Sequence, residues 1–390
     1  MNGGIIMPSK HNKKQKETGK STAVKALRGT FLFYLLIAFE MVYMAGPFAI
    51  YFYGIYNPIL KFFNSSPALS FLNRFFLPHI ARTTTSSLIN IHEYVGAFIA
   101  IIGFIIFLIG AVQIYYSKFT RKGAVTCGIY HFVRHPQYTS FATCGLGLLI
   151  LWPRYINLFM FITMLFVYYL LAKAEERECE AKFGQSYIDY KNKTSMFFLF
   201  CKRKCTNFLP DHKTKKALIL TGIYIFSLVL AYSIAMLIYN HSVNSLYASY
   251  TENSATVAVC HMDESTISEI LTIVSENEQT SDYINNTENM YLNYILPTNW
   301  YAAEIPMNGI EYRSGHASPD NYDQTQYKII LTKAILRDSN SDASGTAIFT
   351  EILEREPLLE VWVDLKKHTV TQIFDIPENY KYRGIPVAIF

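Results

Sequence analysis

The sequence has 390 residues, of which 51% are hydrophobic and 15% aromatic, a composition that is unusual for a wholly soluble enzyme. Charge is uneven: residues 1–240 carry 26 Lys and Arg against 9 Asp and Glu, a net charge of +17, whereas residues 241–390 carry 9 against 21, a net charge of −12. This change of sign predicts a domain boundary near residue 240.

The six cysteines exclude a disulfide framework in the acidic part, because only Cys260 lies there. Cys201 and Cys205 flank a Lys-Arg-Lys run, but a metal site would need two further ligands, and only His212 is near. We therefore expect no metal site. Residues 1–28 are polar, which argues against a secretory signal peptide and predicts a basic tail.

Five apolar stretches follow this tail, at 29–56, 94–117, 139–152, 155–172 and 217–239. A helix needs about 20 residues to cross the hydrocarbon core, and the first, second and fifth stretches reach that length alone. The third and fourth are shorter and are separated only by Trp152-Pro153-Arg154, so we predict a helical hairpin. The fold expected for residues 29–240 is an all-α polytopic membrane domain of about five helices.

Lysine and arginine then predict the orientation. If the five helices alternate, the tail, the 118–134 segment and the 173–216 segment place 22 of these residues on one side and leave 4 on the other. Cytoplasmic loops carry such an excess, so the N-terminus should be cytoplasmic and the acidic domain extracytoplasmic. Glu40 lies within the first apolar stretch, where an ionisable group is costly and often functional. Its role stays open.

The segment from Lys122 to Tyr190 carries the residues that indicate chemistry. They are Ala124-Val125-Thr126-Cys127-Gly128-Ile129-Tyr130, Arg134-His135-Pro136-Gln137-Tyr138, Cys144-Gly145-Leu146-Gly147, Glu175-Glu176 and Phe183-Gly184-x-x-Tyr187-x-x-Tyr190.

Basic and acidic groups should meet at one end of the hairpin. Pro136 suits the first turn of a helix, which puts Arg134 and His135 at its positive end, where an anion such as a carboxylate is held well. The fourth span ends at Glu175 and Glu176, and the hairpin brings that end close to the same place. We expect a pocket with basic residues on one wall and carboxylates on the other.

Gly145 and Gly147 would lie between these walls, inside the third span. Glycines let either a flat group or a neighbouring helix approach closely. By themselves they more often indicate helix packing than a cofactor. Only the joint pattern favours a binding site.

The ordered motif resembles the isoprenylcysteine carboxyl methyltransferase family, whose wider relatives include phospholipid N-methyltransferases. The resemblance covers about 70 residues closely, from Lys122 to Tyr190, and does not reach the last 150. It implies S-adenosylmethionine as cofactor, bound in membrane-embedded helices. A basic wall would hold the carboxylate of this cofactor, a carboxylate its ammonium or ribose hydroxyls, and Tyr130 and Tyr138 its adenine.

The resemblance also implies individual roles. Arg134 and Glu175 are the expected catalytic residues. The expected cofactor-binding residues are Lys122, Gly123, Ala124, Val125, Tyr130, His135, Pro136, Gln137, Tyr138, Gly145, Gly147, Glu175 and Glu176.

The methyl acceptor is less defined than the donor. An arginine that eukaryotic members use for the prenylcysteine would align at Leu171, and the nearest cation is Lys173. A lipid-like acceptor in the membrane is expected, first the carboxylate of an isoprenylcysteine-like compound and second a phospholipid amine. Two other classes are a non-catalytic membrane-anchored sensor and, more distantly, a nicotinamide-dependent reductase. No nucleic-acid partner is expected.

Residues 241–390 predict a small soluble α+β domain. Thr266 and Glu269 have capping-box spacing before an apolar helical face. Strands are predicted at 327–337, 346–353 and 361–373, the last broken by a turn at Lys366-Lys367-His368. His261 with Asp263, and His316, are weak site candidates. Asn285-Asn286-Thr287 would be a glycosylation sequon in a eukaryote. An unidentified ligand or protein partner is the default role.

Overall fold

The computed structural model describes residues 49–66, 68–120, 125–197, 210, 212–285, 289–310, 313, 315–337 and 343–377. The helices in these ranges are α1 (Ala49–Asn64), α2 (Ser87–Asn90), α3 (His92–Phe119), α4 (Pro136–Leu151), α5 (Tyr155–Phe183), α6 (Gln185–Lys193), α7 (Lys213–Asn244), α8 (Glu264–Glu276), α9 (Ser281–Asn285) and α10 (Ala347–Glu351). The strands are β1 (Ala248–Tyr250), β2 (Ser254–Ala258), β3 (Tyr291–Pro297), β4 (Tyr301–Ala302), β5 (His316–Ala317), β6 (Gln326–Leu336), β7 (Ile352–Asp364) and β8 (Thr369–Asp375).

Three helices in the described ranges are long and apolar enough to cross a membrane, over His92–Ser117, Tyr155–Phe183 and Thr214–Asn244. The most apolar stretch of α7 buries none of its residues against the rest of the chain. Apolar surface of this extent is unstable in water, so these helices indicate an integral membrane protein. The first predicted span lies mostly outside the described residues, as does Glu40, and the count of five helices stays a prediction.

Helices α4 and α5 form the predicted hairpin around Trp152, Pro153 and Arg154. Tyr138, near the start of α4, stacks on Tyr168 of α5 with ring centroids 4.9 Å apart. The two helices therefore run back along each other. With 16 residues, α4 is about 24 Å long, which is less than the thickness of a hydrocarbon core.

Glycines allow α3 and α4 to pack with their backbones almost in contact. A Cβ atom on Gly103 would lie 2.3 Å from the backbone nitrogen of Cys144, and one on Gly147 would lie 2.3 Å from that of Ala100. Small residues give membrane helices this close approach. The pair α3–α4 thus holds the hairpin in place.

The turn of the hairpin is covered by the segment between α1 and α3. Phe75 forms an antiparallel bridge with Arg154, whose side chain is fully buried, with its guanidinium 4.2 Å from the centre of the Phe75 ring. Arg154 Nη1 donates a 2.6 Å hydrogen bond to the carbonyl of Asn73. The sequence predicted Arg154 only as part of the hairpin turn and as one of the four basic residues on the side opposite the tail, whereas its side chain is buried in packing contacts.

The C-terminal part is built on a six-stranded mixed sheet in the order β1-β2-β3-β6-β7-β8, with β2 and β3 parallel and the other neighbours antiparallel. All seven residues of β3 are buried. Helix α8 connects β2 towards β3 and buries Ile267, Ile270, Ile273 and Val274. A separate two-stranded ribbon pairs β4 with β5.

Two details of this part differ from the sequence prediction. Helix α8 begins at Glu264 after Asp263, so Thr266 lies inside the first turn and does not cap it. The strand predicted at 346–353 is helix α10 followed by the start of β7. Hairpin β7–β8 is present, with His368 in the left-handed region at φ 51°. Strands β1 to β5 were not predicted.

Backbone hydrogen bonds tie the segment before α3 to the C-terminal part. Arg82 N donates to the carbonyl of Val259 at 2.8 Å, and Thr85 N donates to that of Ser245 at 2.8 Å. The hairpin turn, this segment and the sheet-containing part therefore meet at one end of the helices. Arg134, Glu175 and Glu176 lie at the other end.

Candidate active site

The residues before α4 are fixed by the chain that follows α6. Arg134 N donates to the carbonyl of Ser195 at 2.9 Å, and His135 N donates to that of Met196 at 3.2 Å. Pro136 is the first residue of α4, where its missing N–H costs nothing. The local sequence thus places Arg134 and His135 at the N-terminal end of this helix, as predicted.

Glu176 is the buried centre of this region, with only 1% of its surface exposed. Arg134 Nε donates to its Oε1 at 2.7 Å, and Lys191 Nζ lies 3.3 Å from its Oε2. Lys173 Nζ and His135 Nε2 lie 3.6 Å from its carboxylate oxygens. Four cationic or protonatable groups therefore surround one buried carboxylate.

Arg134 is largely engaged by the protein itself. Besides the bond to Glu176, its Nη1 donates to the carbonyls of Lys191 and Thr194. Its side chain is only 9% exposed. The guanidinium predicted to bind an anion thus fixes α6 and the following residues to the end of α4.

Glu175 faces the opposite way, with half of its side chain exposed. Tyr138 Oη donates to its Oε1 at 2.6 Å, and His135 Nδ1 lies 3.4 Å from its Oε2. Burial disfavours the charged form of His135, but the carboxylates of Glu175 and Glu176 outweigh this effect and raise its pKa. A carboxylate, a phenol and an imidazole that favours its charged form therefore line one wall.

A cavity of about 670 Å³ opens beside this wall, within the range of small-molecule sites. It is lined by Ile114, Ser117, Val125, Tyr130, Arg134, His135, Gln137, Tyr138, Glu175, Cys179, Lys182, Phe183, Tyr187 and Tyr190.

Seven of the predicted site residues are thereby brought together from a loop, the start of α4 and the end of α5. They are Val125, Tyr130, Arg134, His135, Gln137, Tyr138 and Glu175. The geometry agrees with a shared site, while the role of each residue stays a prediction.

Other predicted site residues lie elsewhere. Gly145 and Gly147 are both buried in α4, and Gly147 packs against α3. Neither residue lines the cavity. Pro136 is buried in the first turn of α4, and Glu176 is enclosed by its ion pairs. Lys122, Gly123 and Ala124 lie outside the described residues.

Several lining residues were not predicted to bind. Cys179, Lys182 and Phe183 follow Glu175 at intervals of four, seven and eight residues, which is one face of α5. This helical spacing could have identified them. Ile114 and Ser117 enter from the end of α3, and nothing in their local sequence indicated the site.

The cavity fits the expected cofactor in one further respect. Tyr130 is only 6% exposed, and its hydroxyl has no hydrogen-bond partner among the described residues. A buried hydroxyl without a partner is costly, so a polar group of a bound molecule would complete this environment. Tyr138, Tyr187 and Tyr190 add three further aromatic rings to the lining of the cavity.

These features define an integral membrane protein with a small-molecule cavity at the open end of a helical hairpin. Residues 93–186 match the family model described as phospholipid methyltransferase, which belongs to the group of membrane methyltransferases that also includes the isoprenylcysteine carboxyl methyltransferases. The predicted resemblance is confirmed for this segment. No curated protein and no solved structure matches the chain.

Proposed function

We propose that the protein is an S-adenosylmethionine-dependent methyltransferase that modifies a lipid-like acceptor dissolved in the membrane. The observation that carries this proposal is the cavity at Arg134–Tyr138 and Glu175, in the segment that matches a methyltransferase family. The bound cofactor would supply a methyl group on a positively charged sulfonium. The protein has to position the acceptor in line with that methyl group and to exclude water.

Each wall of the cavity then has a role. His135 and Lys182 supply positive charge for the cofactor carboxylate, and Tyr130 donates or accepts a hydrogen bond through its hydroxyl. Tyr138 holds Glu175 in place through its 2.6 Å hydrogen bond. Arg134 acts through position, since it anchors Glu176 below the site.

The acceptor we favour is the amine of a phospholipid headgroup. A half-exposed carboxylate at Glu175 attracts an ammonium and can accept its proton before the amine attacks. The same charge repels a carboxylate acceptor. Leu171 takes the place of the arginine associated with prenylcysteine binding, and Lys173 lies 3.6 Å from Glu176. An isoprenylcysteine-like carboxylate is the second candidate.

We further propose that the N-terminal tail (1–28) and the active site face the cytoplasm, and that residues 241–390 form a domain on the other side. The 22-to-4 distribution of lysine and arginine supports this orientation. Between Tyr155 and Glu176, α5 rises by about 30 Å, the thickness of a hydrocarbon core.

Cofactor binding is the first test. The purified full chain in detergent should bind S-adenosylhomocysteine, and His135→Ala and Glu175→Ala should weaken this binding about tenfold or more. Glu178→Ala is the matched control, because this exposed glutamate lies on the same helix and does not line the cavity. No binding by the unaltered chain would contradict the enzyme and favour the non-catalytic sensor.

The acceptor is tested with a radiolabelled methyl donor. Phosphatidylethanolamine vesicles and a prenylcysteine analogue are offered separately, and the products are treated with mild base. A methyl ester releases its label as methanol, whereas an N-methyl group keeps it. Base-stable label in the phospholipid supports the amine, and label released from the prenylcysteine analogue would overturn that choice.

A further inference from the structure

A second group of chemically competent side chains lies at the opposite end of the hairpin. His79 comes from the segment before α3, Glu304 follows β4, and His316 begins β5. Each can offer one ligand atom to a metal ion, and these atoms all lie within 4.8 Å of one another. Of these three residues, the sequence analysis had indicated only His316, as a weak site candidate.

The separations are close to those around a small cation. Glu304 Oε2 lies 2.7 Å from His316 Nε2, and Glu304 Oε1 lies 3.7 Å from His79 Nε2. Two ligand atoms at about 2.1 Å from a tetrahedral ion stand about 3.4 Å apart. A shift of His316 by less than 1 Å, a rough estimate from that spacing, would therefore open room for the ion.

The buried imidazole of His79 indicates a bound ligand independently of these distances. Its side chain is nine-tenths buried, and its Nε2 has no hydrogen-bond partner among the described residues, since 3.7 Å to Glu304 is too long. This buried nitrogen is therefore placed to bind a metal ion.

All three side chains are held in position by separate elements. The ring of Phe75 stacks on His79 with centroids 4.7 Å apart, and Trp152 contacts it edge-on at 4.5 Å. Pairing of β4 with β5 sets Glu304 and His316 side by side. Such support is what orients the ligands of a metal site.

The group borders a cavity of about 620 Å³, whose walls include Arg82, Trp152, Trp300 and Tyr301. Three protein ligands beside an open space leave one coordination position for water or another oxygen ligand, and two histidines with one glutamate are a ligand set that binds zinc in this manner. We propose that His79, Glu304 and His316 form a site for a divalent transition-metal ion, zinc in the first place, with one position open to the cavity.

Occupation of this site would join two parts of the chain. His79 belongs to the segment that covers the hairpin turn, whereas Glu304 and His316 belong to the sheet-containing part. The ion would add a bond between them that the backbone contacts of Arg82 and Thr85 do not provide. It would also place a Lewis acid in a cavity remote from the methyltransferase site.

The alternative is a buried ion pair without metal, in which Glu304 only binds protonated His316. The test uses the full chain in detergent, treated with a chelator and titrated with Zn²⁺, and then with Co²⁺ for its visible spectrum. We expect one Zn²⁺ per chain and the absorption of a four-coordinate Co²⁺ complex. His316→Ala and Glu304→Gln should weaken Zn²⁺ binding about tenfold to a hundredfold or more.

His261→Ala is the control, because this exposed histidine lies in the same part of the chain but outside the group. Size-exclusion profiles show whether each variant folds. If a variant does not fold, chemical modification of the unaltered chain provides the test. Zn²⁺ should protect His316, whose side chain is one-third exposed, from diethyl pyrocarbonate and should leave His261 reactive. No stoichiometric Zn²⁺ binding, or equal losses in His261→Ala and His316→Ala, would overturn the proposal.

Discussion

Two buried glutamates lie at opposite ends of the α4–α5 hairpin, and different neighbouring groups stabilise their carboxylates. Glu176 and Glu304 are 1% and 2% exposed, and an isolated carboxylate at such a depth is unstable. Glu176 is paired with Arg134 and two lysines, and His135 Nε2 lies 3.6 Å from its carboxylate. Among the described residues, the ionisable groups paired with Glu304 are two imidazoles, those of His79 and His316.

The difference decides what each end can do. Arginine and lysine cannot readily ligate a metal or give up their charge, so the Glu176 cluster is a fixed anchor beside the cavity that Arg134 and Glu175 line. Imidazoles can exchange a proton for a metal ion. Burial opposes ionisation of Glu304, but its contacts with His316 and His79 outweigh this and lower its pKa. Glu304 is therefore held as a carboxylate, and its two imidazole partners can exchange a proton for a metal ion.

The largest effect is expected for Glu176→Gln. It leaves the buried guanidinium of Arg134 without its carboxylate partner, and breaking a buried ion pair on one side costs about 3–5 kcal/mol. Thermal unfolding of the purified chain in detergent should begin well below that of the unaltered protein. Glu178→Gln, at an exposed position on α5, is the control. Equal unfolding temperatures for the two variants would show that the cluster is no anchor.

A smaller loss of folding stability is expected for Gly147→Ala. This variant distinguishes a role of Gly147 in helix packing from its predicted role in cofactor binding. The new Cβ would lie 2.3 Å from the backbone nitrogen of Ala100, and overpacking of this kind costs about 1–3 kcal/mol. Gly222→Ala on α7 is the control, since its Cβ would meet nothing within 4 Å. The folded fraction of Gly147→Ala should bind S-adenosylhomocysteine normally; a selective loss of binding would restore the cofactor role.

In the presence of a chelator, Glu304→Gln should lower the free energy of unfolding by about 1 kcal/mol, less than Gly147→Ala. The loss is small because an amide can still hydrogen-bond to His316. Glu269→Gln provides a surface comparison, since Glu269 lies 3.3 Å from His368 at an exposed site. Added Zn²⁺ should raise the unfolding temperature of the unaltered chain and of Glu269→Gln, but not of Glu304→Gln. A loss as large as that of Glu176→Gln would remove the contrast between the two ends.

The smallest perturbation is thiol labelling, which compares the two ends without mutation. Cys127 is exposed between Val125 and Tyr130, two residues that line the cavity, whereas Cys260 is buried, and burial raises its pKa to about 11. Only the thiolate reacts rapidly. Peptide mapping after brief treatment with a maleimide at pH 7 should find Cys127 modified and Cys260 unmodified until the chain is denatured. Rapid labelling of Cys260 would show that the sheet-containing part opens readily.

The sequence predicted the end of the hairpin near Glu176 far better than the end near Glu304. Residues 134–138 are consecutive, and Glu175 lies on the helix that follows, so local chain order already brings them together. The packing role of Gly147 needed the position of α3, which is set by contacts that periodicity does not describe. Lys122, Gly123 and Ala124 remain predictions outside the described residues.

By itself, the sequence determined the apolar helices, the charge asymmetry, the methyltransferase motif and the β7–β8 hairpin. Each depends on residues that are neighbours in the chain or share one helix face. Only the tertiary structure decided that Arg134 pairs with Glu176, and that His79 lies beside Glu304 and His316. The physical reason is that more than 200 residues separate His79 from these partners, and their approach depends on how the sheet-containing part packs on the hairpin turn.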